Sequence, residues 1–314
     1  MILENEKKMF KNLFIEKYRP QTFDDIILEP ETRKHFQSLK DKQEIPHLLF
    51  SGPPGIGKTS LAKIIAKDIL DCQYLYINAS DENGIDTIRS KVMGFAQTKS
   101  MDGKLKVVIF DECDALTQDA QKALRSVTEE YASNTRFIFT CNYLFKVITA
   151  LQSRCQSFNL AAPMEGVVKR VCEILKKEDI QVPTEEKPKL LELIRSSYPD
   201  IRTILNTLQK FTHDGCLSIK ENKTRGIAQV ICKKLRLKES PVTLRAYVIE
   251  REQDFLGDYH QLLKDMFDVF YTDQEIDNEE KANLLLVLSD AMYKDAIVID
   301  KEINWFAACI RLNS

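Results

Sequence analysis

Nine consecutive residues have the types and the spacing of a phosphate-binding loop: Gly52, Pro53, Pro54, Gly55, Ile56, Gly57, Lys58, Thr59 and Ser60. They satisfy the pattern G-x-x-x-x-G-K-[ST] at each fixed position. In such a loop the backbone N–H groups turn toward phosphate oxygens, Lys58 adds a positive charge and Thr59 offers a hydroxyl to Mg²⁺. The spacing therefore predicts a nucleotide-binding site.

The residues on either side supply the strand and the helix that this loop needs. Residues 47–50 before it are mainly apolar and predict a short buried strand. The apolar residues after it recur at helical spacing, at Leu61, Ile64, Ile65, Ile69 and Leu70. The positive end of that helix would point at the same phosphates. Strand, glycine-rich loop and helix together strengthen the prediction.

A second group of candidate catalytic residues follows another apolar run. Residues 107–110 predict a buried strand, and Asp111 and Glu112 come directly after it. Parallel sheets place ligand chemistry at the carboxyl ends of their strands. There Asp111 would hold Mg²⁺, and Glu112 would orient or activate the attacking water. The alternative is a strand with an ordinary acidic turn; the phosphate loop upstream favours the catalytic interpretation.

The wider pattern predicts an α/β domain followed by helices alone. Strands are predicted at residues 47–50, 73–78, 106–110, 135–142 and 156–160, and helices alternate with them. This alternation is typical of a mostly parallel sheet with helices on both faces. Residues 14–27 predict an arm that packs against this domain. Beyond Pro163 we predict helices at residues 164–177, 185–196, 200–211, 244–251, 259–270 and 280–293. We therefore expect three domains: residues 1–162, 163–224 and 225–314.

Composition excludes several classes of function. The net charge is −2, so the chain as a whole does not attract nucleic acid, and any such role needs a local surface. The eight cysteines include no C-x-x-C pair, which argues against a zinc ribbon and fits reduced thiols. The first residues lack the apolar segment of a signal peptide, and no apolar run approaches the ~18 residues of a membrane span. We therefore expect a cytoplasmic protein that contacts no membrane.

Six motifs together resemble those of the clamp-loader ATPases of the AAA+ superfamily, which include the replication factor C small subunits. They are the E-K-Y-R-P segment at 16–20, the strand and phosphate loop at 46–59, N-A-S-D at 78–81, D-E-C-D at 111–114, A-Q-K-A-L-R at 120–125 and L-Q-S-R-C at 151–155. The short C-terminal helical part resembles the form of T-even-like phages more than the cellular one. Phe14, Ile56, Cys113 and Pro199 depart from the family's usual residues, and none of these changes removes a charged catalytic group.

The resemblance implies roles that spacing alone does not give. Arg154 resembles the arginine finger that reaches a neighbouring subunit's ATP, although an arginine before a strand is often an ordinary surface residue. Asn142 resembles the sensor 1 residue near the γ-phosphate, and Arg202 resembles the sensor 2 residue of the lid. Asn78 resembles the polar partner that holds Glu112 turned away until DNA binds.

Two further sets of residues follow from the same resemblance. Tyr18 and Arg19 would lie near the adenine. Four basic residues would contact the phosphates of primer–template DNA, although solvated helix charges explain them equally well: Arg89, Lys91, Lys122 and Arg125.

The family's activity supplies the functional hypothesis. The resemblance implies a DNA-stimulated ATPase that binds ATP and Mg²⁺, with a nucleotide-binding domain at 1–162, a helical lid at 163–224 and an oligomerisation collar at 225–314. It would act in a pentamer that contains further copies of the chain and other clamp-loader subunits. This assembly would open a sliding clamp and bind primer–template DNA during replication. Hydrolysis would then release the clamp on the DNA.

Three alternatives stay open at this point. An AAA+ remodeller would need a pore loop with an exposed aromatic residue after the second strand, and residues 80–85 contain none. A small-molecule kinase would need an acceptor-substrate lid in place of Arg154 and two helical domains. A scaffold subunit without hydrolysis is disfavoured because the residues expected to act in hydrolysis are all present: Lys58, Asp111, Glu112 and Arg154.

Overall fold

Two units make up the chain, residues 1–219 and residues 220–314. The computed structural model describes residues 13–42, 45–100, 103–219 and 224–313. The expected absence of a signal peptide concerns residues that lie outside these ranges. The first unit contains both the region predicted to bind nucleotide and the predicted lid, and the boundary between them at residue 162 stays a prediction.

A five-stranded parallel sheet is the centre of the first unit, with strand order β2-β3-β4-β1-β5. The strands are β1 (Leu48–Ser51), β2 (Tyr74–Asn78), β3 (Lys106–Asp111), β4 (Thr135–Cys141) and β5 (Gln156–Asn159). Every residue of β1 and β3 is buried, as expected of strands covered on both faces. The predicted parallel sheet is thereby confirmed.

Helices cover both faces of this sheet. The helices of the first unit are α1 (Phe14–Lys17), α2 (Pro30–Lys42), α3 (residues 58–69), α4 (residues 85–97), α5 (Gln118–Glu130), α6 (Thr149–Gln152), α7 (Met164–Lys177), α8 (Glu186–Ser197) and α9 (Ile201–Lys210). Helices α2 and α3 contribute to the apolar cluster on one face, and α4 and α5 contribute to the cluster on the other. Parts of α3 and α4, Ile65–Ile69 and Ile88–Val92, are wound as π-helix, which the apolar periodicity did not predict.

The region predicted to form the lid, which we call the lid below, has its own apolar cluster, formed by α7, α8 and α9. A two-stranded hairpin that sequence did not predict follows α9, with β6 (Thr212–His213) and β7 (Cys216–Leu217). Phe14 is buried in this lid cluster and Tyr18 packs against it, whereas Phe23 and Ile26 belong to the cluster under α2 and α3. The N-terminal arm therefore packs against the sheet domain, as predicted, and also against the lid.

The second unit is helical throughout its described part. Its helices are α10 (Thr224–Arg236), α11 (Pro241–Glu250), α12 (Tyr259–Thr272), α13 (Asn278–Asp295) and α14 (Lys301–Asn313). Trp305 and Phe270 are fully buried in its apolar cluster. The helices predicted here are confirmed within a few residues at their ends. Over the described ranges of the chain, no helix is both long enough and apolar enough to span a membrane.

Candidate nucleotide-binding site

A cavity of about 450 Å³ lies at the carboxyl ends of β3 and β4 in the first unit. Its walls come from four places in the sequence: the phosphate loop, the ends of these two strands, the N-terminal arm, and helices α7 and α9 of the lid. A parallel sheet gathers strand ends at one edge, so the location is the one expected for a ligand site.

Two glycines of the loop have backbone conformations that other residues rarely adopt. Gly55 has φ +76°, and Gly57, directly before α3, has φ +94°. A Cβ atom on Gly55 would also lie only 1.8 Å from Oδ1 of Asp200, at the start of the lid helix α9. Gly55 is therefore required twice, by the curvature of the loop and by the close approach of the lid.

Lys58 points its ammonium group at oxygen atoms around the loop. Its Nζ donates to the carbonyl oxygens of Gly52 at 2.8 Å and Pro53 at 2.7 Å, and to Oδ1 of Asn142 at 2.8 Å. Burial lowers the pKa of Lys58 from its ordinary value. These three acceptors are neutral, so phosphate oxygens would be stronger partners for the same charge. Asn142, the predicted sensor 1 residue, thus contacts Lys58 directly.

The predicted metal ligands also meet. The hydroxyl of Thr59 donates to Oδ1 and Oδ2 of Asp111, at 2.7 and 2.9 Å. A hydroxyl and a carboxylate are hard oxygen ligands of the kind that Mg²⁺ prefers. Asp111 is largely buried beside the cavity, so the residues present fit a magnesium ion, which Thr59 and Asp111 would hold.

Glu112 is held in an unusual conformation at the end of β3. Its φ of 56° and ψ of 43° are left-handed, a region that is strained for a residue other than glycine, and such strain often clusters at functional sites. Its N–H donates to Oγ1 of Thr140 at 3.1 Å. Its carboxylate accepts a hydrogen bond from the hydroxyl of Ser80.

Asn78 does not contact Glu112 in this structure. Its amide donates to Asp81 at 2.8 Å, and its carbonyl oxygen accepts the N–H of Ser80 at 3.2 Å. The partner of Glu112 is therefore Ser80, two residues further along. A role of Asn78 in controlling Glu112 stays a prediction, and the observed link passes through the Ser80 turn.

The arm and the lid close the cavity from two sides. Tyr18, Arg19 and Arg202 all line it. The hydroxyl of Tyr18 donates to Glu178 on the lid, and Lys17 pairs with the same carboxylate at 2.5 Å. Burial, followed by this hydrogen bond, raises the pKa of Tyr18 to about 12. Arg202 is exposed in the first turn of α9, as expected of a residue that could reach a phosphate.

Arg154 lies elsewhere. It follows α6, and its guanidinium pairs with Glu129 and donates to the carbonyl oxygen of Ala150 at 2.6 Å. It is not among the residues that line the cavity, within the part of the chain that is described. The structure therefore does not bring Arg154 to the phosphate loop of its own chain.

The candidate DNA-contacting residues lie on two helices that pack against each other, α4 and α5. On α4, Lys91 pairs with Glu82 at 2.6 Å, and on α5, Lys122 pairs with Asp119 at 3.0 Å. Arg89 and Arg125 are exposed, and no acidic side chain of the described ranges pairs with either. The two arginines are therefore better placed than the two lysines to bind an external phosphate, because the lysines already pair with carboxylates.

Sequence reasoning missed three residues of the site: Tyr76, Ser80 and Thr140. The hydroxyls of Tyr76 and Thr140 donate to Asp111, at 2.8 and 2.6 Å. Burial, and then the contact with Asp111, raises the pKa of Tyr76. Thr140 gave a detectable signal, because it is a polar residue directly after the apolar run 137–139 of β4. Tyr76 gave no signal, because an aromatic residue in a strand is ordinary.

Comparison with known proteins agrees with this geometry. Residues 48–161 match the model of the family described as ATPase family associated with various cellular activities (AAA). The matched segment runs from the start of β1 to just beyond β5. A solved structure of the RuvB Holliday junction branch migration motor of Thermotoga maritima aligns over 74% of this chain and 85% of that chain, with 18% identity and a TM-score of 0.46.

Curated relatives are similar to this chain over about two hundred residues. The replication factor C small subunit of Methanococcus vannielii is 44% identical over 202 residues, 62% of this chain and 63% of the relative. That of Archaeoglobus fulgidus is 42% identical over 203 residues, 63% of each chain. Replication factor C subunit 3 of Saccharomyces cerevisiae is 40% identical over 216 residues, 67% of this chain and 63% of the relative. This chain thus spans 63% of the length of these relatives.

Proposed function

We propose that this chain is the ATPase subunit of a DNA sliding-clamp loader that acts in replication. The observation that carries the ATPase part is the meeting of Lys58, Thr59 and Asp111 in one cavity, with Glu112 beside them. The clamp-loader part is supported by the names of the relatives, replication factor C small subunit and subunit 3, and by the six motifs described above.

ATP fits the cavity through groups already in place. Lys58 would exchange its carbonyl partners for phosphate oxygens, and Thr59 and Asp111 would hold Mg²⁺. When bound, the metal neutralises charge on the phosphate oxygens during transfer. Glu112 would orient the attacking water once its carboxylate leaves the hydroxyl of Ser80. Tyr18 and Arg19 would lie on the adenine side, and Arg202 would contact phosphate from the lid.

Assembly supplies the parts that one chain does not place at its own cavity. Arg154 would act on the ATP of a neighbouring subunit. The assembly would be a pentamer that contains several copies of this chain together with companion subunits. The second unit would form the collar, and several of its apolar side chains are exposed, among them Leu286, Ile297, Ile299 and Ile303. We propose, from the resemblance in sequence, that this collar is of the phage form and not of the cellular one. The complex would work at replication forks in the cytoplasm.

DNA binding would appear only in the assembled state. A net charge of −2 provides no long-range attraction to a polyanion. Arg89, Lys91, Lys122 and Arg125 from several subunits would have to line one inner surface before their charges sum. ATP binding would close the assembly around the clamp and the primer–template junction.

The test is the affinity for a fluorescent primer–template, measured by anisotropy for the complex purified with its companion subunits. Glu112→Gln protein with ATP should bind the DNA tightly, because it holds ATP without turnover. The same complex without nucleotide, or with Lys58→Ala, should bind at least tenfold more weakly. Binding should also weaken with salt, with a slope of about −0.9 per phosphate neutralised. Tight binding that ignores nucleotide, or none in any state, would contradict the clamp-loader function.

A further inference from the structure

Three hydroxyl groups converge on the carboxylate of Asp111. Its Oδ1 accepts from Thr59 at 2.7 Å and from Thr140 at 2.6 Å. Its Oδ2 accepts from Thr59 at 2.9 Å and from Tyr76 at 2.8 Å. Thr59, in the first turn of α3, is itself expected to act at the phosphates and the metal. The two remaining donors hold the carboxylate from the sheet, one on each oxygen.

The sheet determines the position of Tyr76. In the parallel pairing of β2 and β3, Asn78 lies beside Asp111 and Tyr76 lies beside Ile109. The side chain of Tyr76 is long enough to bring its hydroxyl from there to the end of β3. Lys63 of α3 lies over its ring, with Nζ 3.9 Å from the centroid, a distance at which a cation attracts an aromatic face. Helix α3 thus supplies Thr59 to the carboxylate and Lys63 to the residue behind it.

Thr140 and Tyr76 differ in what else they do. Thr140 is almost fully buried, and its hydroxyl also accepts the N–H of Glu112, so its loss would disturb the backbone at the end of β3. Tyr76 is 37% exposed, and Asp111 is the one hydrogen-bond partner of its hydroxyl within the described ranges. Removing that hydroxyl would leave Oδ2 with the hydrogen bond from Thr59. Tyr76 is therefore the donor that can be deleted without damage to the fold.

We propose that Tyr76 is a positioning residue for the divalent-cation ligand Asp111, and that its hydroxyl orients the carboxylate and thereby strengthens cation binding at the nucleotide site. Residues that hydrogen-bond to a metal ligand fix its direction, and their loss typically weakens metal binding or activity by about 10- to 100-fold. The inference rests on the proposed function, because it takes Asp111 as a magnesium ligand.

The variant Tyr76→Phe tests this proposal, and Tyr74→Phe is its matched control. Tyr74 lies on the same strand and also has a lysine over its ring, Lys67 at 5.7 Å. Unlike that of Tyr76, its hydroxyl contacts no described hydrogen-bond partner. Both changes remove the same atom from the same strand, so a difference between them isolates the contact with Asp111.

The measurement is the affinity of the full chain for a fluorescent, non-hydrolysable ATP analogue, once with saturating Mg²⁺ and once with EDTA. The ratio of the two affinities reports what the cation contributes. We expect Tyr76→Phe to lower this ratio about tenfold, with the affinity in EDTA unchanged. Tyr74→Phe should keep the parental ratio.

Two results would overturn the proposal. One is an equal ratio in Tyr76→Phe and Tyr74→Phe. The other is a loss for Tyr76→Phe that is the same in Mg²⁺ and in EDTA, which would make Tyr76 a structural residue of the pocket. If the parent chain bound no analogue under either condition, the nucleotide site itself would be wrong, and the inference would fall with the proposed function.

Discussion

The phosphate site and the candidate arginine finger differ in how much one chain provides. Lys58, Thr59 and Asp111 meet in a single cavity, with their side chains already hydrogen-bonded to one another or to the loop. Arg154 is bound instead to Glu129 and to the carbonyl oxygen of Ala150 in α6. From this difference we propose a division between two chains. One chain binds the nucleotide, and the second supplies Arg154, the remaining group needed for hydrolysis.

The energies of the two contacts that Arg154 can make favour this division between two chains. The pair of Arg154 with Glu129 is partly exposed, and exposed ion pairs contribute about 0–1 kcal/mol. An arginine finger is worth roughly 10³–10⁵ in rate, which corresponds to about 4–7 kcal/mol of barrier. Breaking the ion pair with Glu129 would therefore cost much less free energy than Arg154 would contribute by lowering the barrier at a neighbour's phosphate.

The largest expected effect is that of Arg154→Ala on hydrolysis. We expect the rate of the assembled protein to fall about 10³-fold, because the transition-state charge loses its partner. The affinity for ATP should change less than threefold, since Arg154 does not line the cavity of its own chain. Steady-state hydrolysis and fluorescent-ATP titration are the two measurements. A large loss of affinity in the isolated chain would break the proposed division.

A smaller effect, on binding alone, is expected from Gly55→Ala. The left-handed conformation costs an alanine about 1–2 kcal/mol, and the new Cβ would meet Asp200. A loop that relaxes when empty must regain this conformation to hold phosphate, so we expect nucleotide affinity to fall about tenfold.

Gly94→Ala is the matched control for Gly55→Ala. Gly94 lies within α4, and a Cβ atom there would meet nothing within 4 Å. Isothermal titration of both variants with ATP distinguishes the outcomes. Unchanged affinity in Gly55→Ala would mean that the lid and the loop are not in contact when nucleotide binds.

The sequence predicted the parts of this site that local chemistry fixes. A phosphate loop requires particular residues in order, so Lys58 and Thr59 could be assigned by spacing. Asp111 could be assigned because a buried apolar run ends directly before it. The sheet followed from the alternation of strands and helices, and the structure confirms it with the strand ends within two residues.

Other parts of the site depend on which of several hydrogen-bond partners a side chain takes, or on how neighbouring strands pair. A single sequence reveals neither. Asn78 was expected to face Glu112, but an asparagine readily bonds the backbone two residues on, and here it does so with Ser80. The contact of Tyr76 with Asp111 depends on the pairing of β2 with β3 and joins residues far apart in the sequence. The two-sided packing of the N-terminal arm likewise depends on where the lid lies.

The most direct test of the central claim mixes two inactive proteins. Arg154→Ala has an intact phosphate site and no finger, and Lys58→Ala has an intact finger and no working phosphate site. If Arg154 acts on a neighbour's ATP, mixed assemblies contain sites of the first variant that face fingers of the second. We predict that mixing restores a measurable part of the parental hydrolysis rate, in proportion to the mixed assemblies that copurification of two tags detects. Mixed assemblies that form and yet hydrolyse no ATP would contradict the claim that the second chain completes the site.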